Sequence, residues 1–367
     1  MGAGVKGRAL AALLGVLAAS VAVQIPGQAA DSGGGETAQR AQRVKYFGYN
    51  EDWGADPARI DLVADAGANT LRTVLSWRVV ERRRGELQWR RYDALYARMV
   101  ANGARPLWVL ADAPCWAWAE SRSACGEQGR LAHPPDPEFE LEWARFVYQV
   151  VQRYPQTVAI EAWNEPNLRT FFKPEPDPVR AARLTAWANF AVDQIDPGVP
   201  VLLGGPSPTF DNIPGVEIAY EDFIREAYAA AGTGHWDGIA MHPFPSMQRQ
   251  GEYLRDIQEH INNARRVTRR SGARGTPIWV TEVGLSTDGV RPYSAKEQAT
   301  GLRRIYRGLA RRDDVEIPAI IVHRLVDQQS GYGAPAEAGW GVLRRDGKPK
   351  PAFCELAELR GQRCPRP

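Results

Sequence analysis

The chain has 367 residues, with 46 Lys or Arg, 43 Asp or Glu and a formal net charge of +3 at pH 7. Such a near balance argues against a nucleic-acid partner, which would need a concentrated basic face. The most basic short run, residues 265–274, is interpreted as the solvated face of a surface helix.

The first thirty residues are typical of a secretory signal peptide. Lys6 and Arg8 precede an apolar stretch over residues 9–23, and Gly27-Gln28-Ala29 resembles a cleavage site. An uncleaved membrane anchor is the alternative, although the apolar stretch is shorter than the about 20 residues of a full span. We therefore expect residues 1–30 to be removed.

The remaining chain divides into a short leader and one long domain. Residues 31–43 are glycine-rich and predict a flexible leader, and residues 44–367 predict a single domain. We expect a secreted, monomeric protein. Association of the secreted protein with the cell wall is the alternative. After cleavage we expect no stable membrane association.

Strand-like apolar runs alternate with helical patterns along the whole domain. Two helical patterns run from Trp89 to Val100 and from Phe139 to Val150, and the pairs Asp56-Pro57, Asp136-Pro137 and Asp177-Pro178 are helix-start signals. The predicted strands are Tyr46–Tyr49, Thr70–Leu75, Arg105–Leu110, Val158–Trp163, Val201–Gly204, Gly238–His242, Ile278–Thr281 and Ala319–His323.

Eight strand–helix alternations predict an α/β fold, a closed (β/α)8 TIM barrel. A doubly wound open sheet is the alternative. It would normally carry a glycine-rich phosphate loop after the first strand, and Gly48-Tyr49-Asn50-Glu51 is not one. In a barrel the active site lies at the carboxyl ends of the strands.

Two glutamates follow or end predicted strands, Glu165 at the fourth and Glu282 at the seventh. Cleavage of a glycosidic bond needs one carboxyl group to exchange a proton and one to attack or to activate water. Taken singly, Glu165 could be a helix-start acid and Glu282 a buried ion-pair partner. Their joint placement favours a catalytic pair.

Aromatic and polar side chains near the other strand ends are typical of a sugar-binding cleft, in which ring faces pack on pyranose rings and polar groups bind hydroxyls. Core packing is the alternative for any single tryptophan. The predicted substrate-binding residues are Asn164, Arg72, His242, Trp53, Trp77, Asp112, Trp116, Phe171, Phe244, Arg324 and Trp340.

Two of these residues carry specific alternatives. Arg324 could bind an acidic sugar, or it could form an ion pair with Asp327 or Asp112. His242 is interpreted as a hydrogen-bond donor near Glu165 or the sugar, with a core histidine as the alternative.

The chain contains four cysteines, Cys115, Cys125, Cys354 and Cys364. A secretory signal and an even count favour disulfides. Three pairings are possible, and the local pairs Cys115–Cys125 and Cys354–Cys364 are the simplest. Zinc is disfavoured because the spacings are not CxxC-like, and we expect neither a metal nor a cofactor.

The stretch Glu161–Asn167 resembles the strand-four signature of the clan of retaining (β/α)8 glycoside hydrolases, which includes cellulase-like and β-xylosidase/iduronidase-like enzymes. Similar segments occur at Asp237–Phe244 and Thr281–Gly284, and in the tail at residues 339–343 and Lys350–Phe353. The resemblance covers nearly all of the predicted domain.

The resemblance implies that Glu165 is the acid/base and Glu282 the nucleophile. Asn164 would bind the sugar 2-hydroxyl, and Arg72 would lie beside Glu282 and keep it ionised. Carboxyl groups about 5–5.5 Å apart would indicate retention, and about 6.5–9.5 Å inversion.

This sequence departs from its relatives at the residues that would choose the sugar. Phe244 stands where many relatives have a tyrosine, and His323-Arg324 ends the strand that often carries a tryptophan. The histidine that is common after strand three in the cellulase-like branch is not evident here, and Asp112 is the nearest polar group. The expected function is cleavage of β-glycosidic bonds in a poly- or oligosaccharide. Alternatives are a non-catalytic glycan-binding barrel and a metal-dependent hydrolase, for which Tyr46–Asn50 lacks the His-x-His pattern.

Overall fold

Eight parallel strands form a closed barrel in which each strand pairs with the next and β8 pairs with β1. The computed structural model describes residues 44–51, 60–118, 132–246, 251–289, 291–328 and 338–364. The expected signal peptide 1–30 and leader 31–43 lie outside these residues. The strands are β1 Tyr46–Asn50, β2 Thr70–Ser76, β3 Arg105–Ala111, β4 Ala159–Asn164, β5 Val201–Gly205, β6 Gly238–Met241, β7 Ile278–Val283 and β8 Ala319–Val322.

The predicted (β/α)8 barrel is confirmed, and each predicted strand is present with ends within two residues of those expected. No helix in the described ranges is long and apolar enough to cross a membrane. The helices are α1 Leu62–Asp65, α2 Trp77–Val80, α3 Arg90–Ala101, α4 Glu140–Arg153, α5 Pro178–Asp193, α6 Tyr220–Ala231, α7 Tyr253–Arg270, α8 Ala295–Ala310 and α9 Pro351–Leu359.

The strands are buried on both faces, which explains why their sequences are nearly continuous apolar runs. One set of side chains fills the barrel interior, where the rings of Tyr46 and Trp279 stack with centroids 5.7 Å apart. The other set packs against the surrounding helices. The interior cluster comprises Tyr46, Leu107, Val158, Ala159, Leu202, Ala240, Trp279, Ala319 and Ile321.

Two of the predicted helix starts lie among the described residues. The carboxylate of Asp177 accepts a hydrogen bond from the backbone N–H of Arg180 (3.0 Å) and so caps α5, whose first residue is a proline. Asp136 precedes a 3₁₀ turn, Pro137–Phe139, that leads into α4. The third signal, Asp56-Pro57, falls outside the described residues.

One predicted disulfide is confirmed. Cys354 in α9 bonds to Cys364, with Cα atoms 4.8 Å apart, and this bond ties the last helix to the end of the described chain. Cys115 is also disulfide-bonded. Its predicted partner, Cys125, lies outside the described residues, so that pairing stays a prediction.

Candidate active site

The carboxyl ends of the strands bring the two predicted catalytic glutamates to the same end of the barrel. Glu282 is the last residue but one of β7, and Glu165 directly follows Asn164, the last residue of β4. Because all strands are parallel, side chains at these positions converge.

The backbone around Glu165 is held in an unusual conformation. Trp163 and Glu165 have φ values of 78° and 40°, in the left-handed region that residues other than glycine rarely adopt. Such residues cost about 1–3 kcal/mol each and cluster at functional sites. The N–H of Glu165 donates to the carbonyl of Gly205 (3.1 Å), which anchors this turn to β5.

Arg72 from β2 is the centre of the site, and each of its five N–H groups has its own oxygen acceptor. Nε and Nη2 donate to the two oxygens of Glu161 (2.8 and 2.9 Å), and Nη2 also donates to Oδ1 of Asn164 (2.8 Å). Nη1 donates to Oε1 of Glu282 and to Oδ1 of Asn50 (3.2 Å). One buried arginine therefore links strands β1, β2, β4 and β7.

This cluster controls the ionisation of two buried carboxyl groups. Burial alone would raise the pKa of Glu161, but the guanidinium of Arg72 outweighs burial and lowers that pKa to about 2. Burial likewise opposes ionisation of Glu282, and His242, Arg72 and His323 together hold its pKa well below the usual value. Glu282 is therefore a carboxylate at neutral pH, as an attacking group must be.

His242, which follows β6, stands between the two candidate catalytic residues. Its Nδ1 lies 3.0 Å from Oε1 of Glu165 and 3.9 Å from Oε2 of Glu282, and its Nε2 lies 3.6 Å from Oε1 of Glu161. Burial would lower the pKa of His242, but these three carboxylates raise it to about 9. The Arg72 hydrogens already have other acceptors, so the 3.2 Å approach of Nη2 to Nε2 is compatible with a protonated imidazole.

The glycine at the end of β5 makes room for this histidine. A Cβ atom on Gly205 would lie 2.6 Å from Nε2 of His242 and 3.0 Å from Oε1 of Glu161. Both distances are too short for carbon, so a larger residue at this position would displace His242 and Glu161.

Three residues at the centre of the site were not among the predicted site residues: Asn50, Glu161 and His323. Asn50 directly follows the first predicted strand and His323 ends the eighth, which was a usable signal. Glu161 also carried a signal, because it follows Ala159 by two residues and Ala159 faces the barrel interior. A carboxylate on that face must have a partner.

Three predicted aromatic residues have clear surroundings in the structure. Phe244 and Trp340 are half-buried, with ring centroids 5.1 Å apart, and both contact the ring of His323 edge to face. Phe171 is 36% exposed beyond β4, and its carbonyl accepts a hydrogen bond from the indole of Trp163 (2.5 Å). Their role in substrate binding stays a prediction.

The structure corrects the interpretation of Trp77 as a substrate-binding residue. Trp77 has no exposed surface, because it is the first residue of α2 and its side chain turns into the helix layer. It packs on Phe146 and Trp116, with ring centroids 5.5 and 5.4 Å away. The half-buried Trp116 donates to the carbonyl of Glu81 (3.0 Å). Trp77 is therefore a core residue.

Arg324 also requires a correction. It is 2% exposed and lies 3.5 Å from the carboxylate of Glu51, so neither of the two expected partners forms its ion pair. Asp327 instead pairs with Lys350 (2.8 Å). Because Arg324 is buried beside an internal carboxylate, we interpret it as an internal ion-pair residue. This corrects its interpretation as part of an acidic-sugar subsite.

Two further predicted residues remain to be placed. Asp112 directly follows β3, has a φ of 60° and is 5% exposed, and burial raises its pKa to about 6. Its contribution to substrate binding stays a prediction. Trp53 lies outside the described residues.

The basic run at residues 265–274 lies at the other end of the barrel. It forms the end of α7 and the turn before β7, and with Asn262 its arginines line a cavity of about 620 Å³. Across the described ranges, no group of three or more His, Cys, Asp or Glu side chains could hold a metal ion.

Two carboxyl groups, a buried arginine and a buried histidine thus meet at the carboxyl end of the (β/α)8 barrel. Residues 137–343 match the family described as "Glycosyl hydrolase catalytic core". This match covers more than half of the chain, and the chain therefore belongs to that family. No curated protein sequence matches the chain.

Several solved structures share the fold. A family 39 glycoside hydrolase from Bacteroides cellulosilyticus WH2 is 22% identical, with a TM-score of 0.65 over 87% of this chain and 64% of its own. A monomeric β-xylosidase from Caulobacter crescentus CB15 is 18% identical (TM-score 0.65; 87% of this chain and 68% of that one). A GH5_18 enzyme from Streptomyces cattleya bound to Manb1-4GlcNAc is also 18% identical (TM-score 0.64; 88% and 83%). At these identities the likeness establishes the barrel alone.

Proposed function

We propose that this glycoside hydrolase cleaves β-glycosidic bonds with retention, by double displacement. The observation that carries the proposal is the position of the two carboxylates around His242. One oxygen of Glu165 lies 3.0 Å and one oxygen of Glu282 lies 3.9 Å from the same nitrogen atom. Such closeness favours the about 5–5.5 Å spacing of retaining enzymes over the about 6.5–9.5 Å spacing of inverting ones.

In the first step Glu165, as acid, donates its proton to the glycosidic oxygen while Glu282 attacks the anomeric carbon. The bond to the leaving group breaks, and a glycosyl ester of Glu282 forms. In the second step Glu165, now a carboxylate, takes a proton from water, and the resulting hydroxide displaces the ester. Glu282 is regenerated as a carboxylate, and the sugar leaves with its original configuration.

The surroundings of the two groups support these roles. Glu282 accepts hydrogen bonds from the Arg72 guanidinium and from the Asn50 amide (3.0 Å), and both stabilise its charged form. Glu165 contacts His242 instead, whose Nδ1 lies 3.0 Å from its Oε1. Asn164, held by Arg72, is positioned to bind the 2-hydroxyl of the reacting sugar.

The substrate we propose is a β-linked poly- or oligosaccharide. Phe244 and Trp340 supply half-buried ring surface near Glu282, as a pyranose ring requires. Two of the similar structures support a β-linkage, one a β-xylosidase and the other a complex with Manb1-4GlcNAc.

Covalent trapping tests this proposal. The protein is incubated with 2,4-dinitrophenyl 2-deoxy-2-fluoro-β-glycosides of the xylo, gluco and manno series, digested, and mapped by mass spectrometry. We expect one of the three to label Glu282 alone. Glu282→Gln should abolish the label, whereas Glu86→Gln, at a carboxylate 58% exposed on the surface, should not change it.

Azide rescue separates the two roles. Glu165→Ala should lose activity by about 10²–10⁴-fold on unactivated substrates. With a dinitrophenyl glycoside, whose leaving group needs no acid, azide should restore turnover and give the β-glycosyl azide. Glu282→Ala should give the α-glycosyl azide. Reversed configurations would exchange the assignments, and a label on another carboxylate would overturn the mechanism.

We further propose that the protein acts as a secreted monomer. The basic and apolar pattern of residues 1–30 supports export, and the monomeric β-xylosidase supports the oligomeric state by analogy. Expression of the full chain in a bacterial host should release a product that begins near Asp31 and elutes at monomer mass. Retention of residues 1–30 in the membrane fraction would favour the anchor instead.

A further inference from the structure

The two oxygens of Glu282 are held by different groups. Oε1 accepts from Arg72 and from Asn50 Nδ2 (3.0 Å). Oε2 lies 3.2 Å from Nδ1 of His323, the residue that follows β8. The side chains of Glu282 and His323 are 11% and 9% exposed, so water competes little for this contact.

At 3.2 Å, Nδ1 of His323 lies within hydrogen-bonding distance of Oε2. Nδ1 of His242 lies farther from Oε2, at 3.9 Å, and is 3.0 Å from Oε1 of Glu165. A distance of 3.9 Å is too long for a hydrogen bond. His323 is therefore close enough to orient Oε2.

The contact works only when Nδ1 of His323 carries a hydrogen. Nδ2 of Asn50 also lies 3.0 Å from this nitrogen. Without its hydrogen, Nδ1 would accept from Asn50 and would turn a lone pair toward Oε2 of Glu282. With it, Nδ1 donates to Oε2, and the negative charge of Glu282 favours that state.

The aromatic surroundings fix the ring of His323. Phe244 and Trp340 contact it edge to face, with centroids 5.6 and 5.7 Å away. Neither of these rings brings a hydroxyl group toward Glu282. The donor at Oε2 thus comes from the end of β8 rather than from the aromatic residue after β6.

We propose that His323 is a positioning residue for the first chemical step, in which its Nδ1–H orients Oε2 of Glu282 and helps to keep this carboxylate charged. This role rests on the proposed function, since it assumes that Glu282 attacks the sugar. The charged groups that share the site are Arg72 from β2 and His242 after β6, with Glu161 and Glu165 from β4 on their far side.

Once Glu282 becomes an ester, its negative charge disappears. The reason for the hydrogen to stay on Nδ1 of His323 then weakens, and the amide of Asn50 is at hand to donate to the bare nitrogen. The hydrogen-bond state of His323 therefore follows the chemical state of Glu282.

Three variants separate a positioning role from packing. His323→Asn keeps an N–H donor near the position of Nδ1, and His323→Gln moves the donor to the position of Nε2. His323→Phe keeps a ring of similar size between Phe244 and Trp340 but has no donor. The measured quantity is the trapping rate of Glu282 by the fluoroglycoside that labels the wild type, from pH 3.5 to 8.

Loss of the donor makes ionisation of Glu282 harder, so the acidic limb of the pH profile must move to higher pH. A hydrogen bond to a charged group is worth about one pH unit of such a shift. We expect His323→Phe and His323→Gln to raise the limb by about one unit and to slow trapping roughly tenfold. His323→Asn should keep the wild-type limb.

The outcomes distinguish this inference from the proposed function. If wild-type Glu282 is labelled and His323→Phe keeps the wild-type pH profile, His323 has no positioning role. Equal profiles for His323→Asn and His323→Gln would overturn it too. If no fluoroglycoside labels Glu282 even in the wild type, the proposed function fails first.

A measurement on the wild-type protein tests the inference even if the variants do not fold. Histidine ¹⁵N–¹H correlation spectra should show a hydrogen on Nδ1 of His323 in the free enzyme and a changed Nδ1 shift after Glu282 is trapped. A bare Nδ1 in the free enzyme would overturn the inference.

Discussion

Two arginine–carboxylate pairs of similar geometry lie in opposite environments of this molecule. Inside the barrel, Arg72 donates to Glu161 through Nε and Nη2 at 2.8 and 2.9 Å. On the outside, Arg153 of α4 donates to Asp93 of α3 through Nε and Nη2 at 2.6 and 2.7 Å. The inner side chains are 2% and 0% exposed, and the outer ones are 43% and 39% exposed.

The comparison teaches that geometry alone does not set the value of an ion pair. Water can solvate either partner of the outer pair, so the pair adds little to stability. Water cannot solvate the inner partners in this way, and removal of one of them leaves an uncompensated charge in the protein interior. Arg72 in addition holds Glu282, Asn50 and Asn164, so the charge that the fold needs also keeps the candidate nucleophile ionised.

The largest expected effect follows from removal of the inner arginine. Arg72→Met should lower the free energy of unfolding by about 3–5 kcal/mol, because Glu161 would be left buried and unpaired. The measurement is urea denaturation at pH 7. Trapping of Glu282 should be lost in the same variant.

The double variant Arg72→Met/Glu161→Met sharpens this result. With both charges gone, most of the lost stability should return, since a buried pair can often be replaced by apolar residues at little cost. Trapping of Glu282 should remain absent, because Glu282 still lacks its guanidinium. Additive losses in the double variant would show that the inner pair behaves like the outer one.

The barrel and the convergence of its two candidate catalytic glutamates could be predicted from the sequence because both depend on regular geometry. Eight apolar runs give eight strands, and parallel strands bring Glu165 and Glu282 to one end whatever the loops do. The position of Arg72 beside Glu282 followed from the family resemblance and agrees with the structure.

The residues that were missed or misplaced depend on side-chain direction. Glu161 and Arg72 are 89 positions apart, and no local pattern reveals such a pair. Trp77 was expected in the cleft, but the chain turns into α2 at that residue, which rotates its side chain into the helix layer. Arg324 could be expected to find an acid, and only the packed barrel shows that it is Glu51.

A carboxyl group for which burial outweighs the nearby charge of Arg78 gives the intermediate case. Burial raises the pKa of Asp112 from 3.8 to about 6, so the folded state holds its proton more tightly than the unfolded state does. Stability is therefore lost as pH rises from about 4 to 6. Asp112→Asn should remove this loss and raise the free energy of unfolding by up to about 3 kcal/mol at pH 8, with no gain at pH 3.5.

Asparagine is a suitable replacement at this site. Its side-chain oxygen can still accept from the N–H of Ala132, which lies 3.3 Å from Oδ1 of Asp112, and asparagine tolerates a φ of 60°. Urea titrations of wild type and variant at the two pH values provide the measurement. An equal gain at both values would mean that packing, and not the charge, sets the difference.

The smallest expected effect belongs to the outer pair. Asp93→Asn removes the charge that Arg153 contacts, but the amide oxygen can still accept from the hydroxyl of Tyr154, which lies 3.1 Å from Oδ1. The loss should be about 0.2–1 kcal/mol at low salt, and it should shrink further in 1 M NaCl, where charges are screened beyond about 3 Å. Urea unfolding at both salt concentrations measures it against the Arg72→Met variant. A salt-independent loss as large as that of Arg72→Met would contradict the comparison, since it would mean that 40% exposure does not let water replace a charged partner.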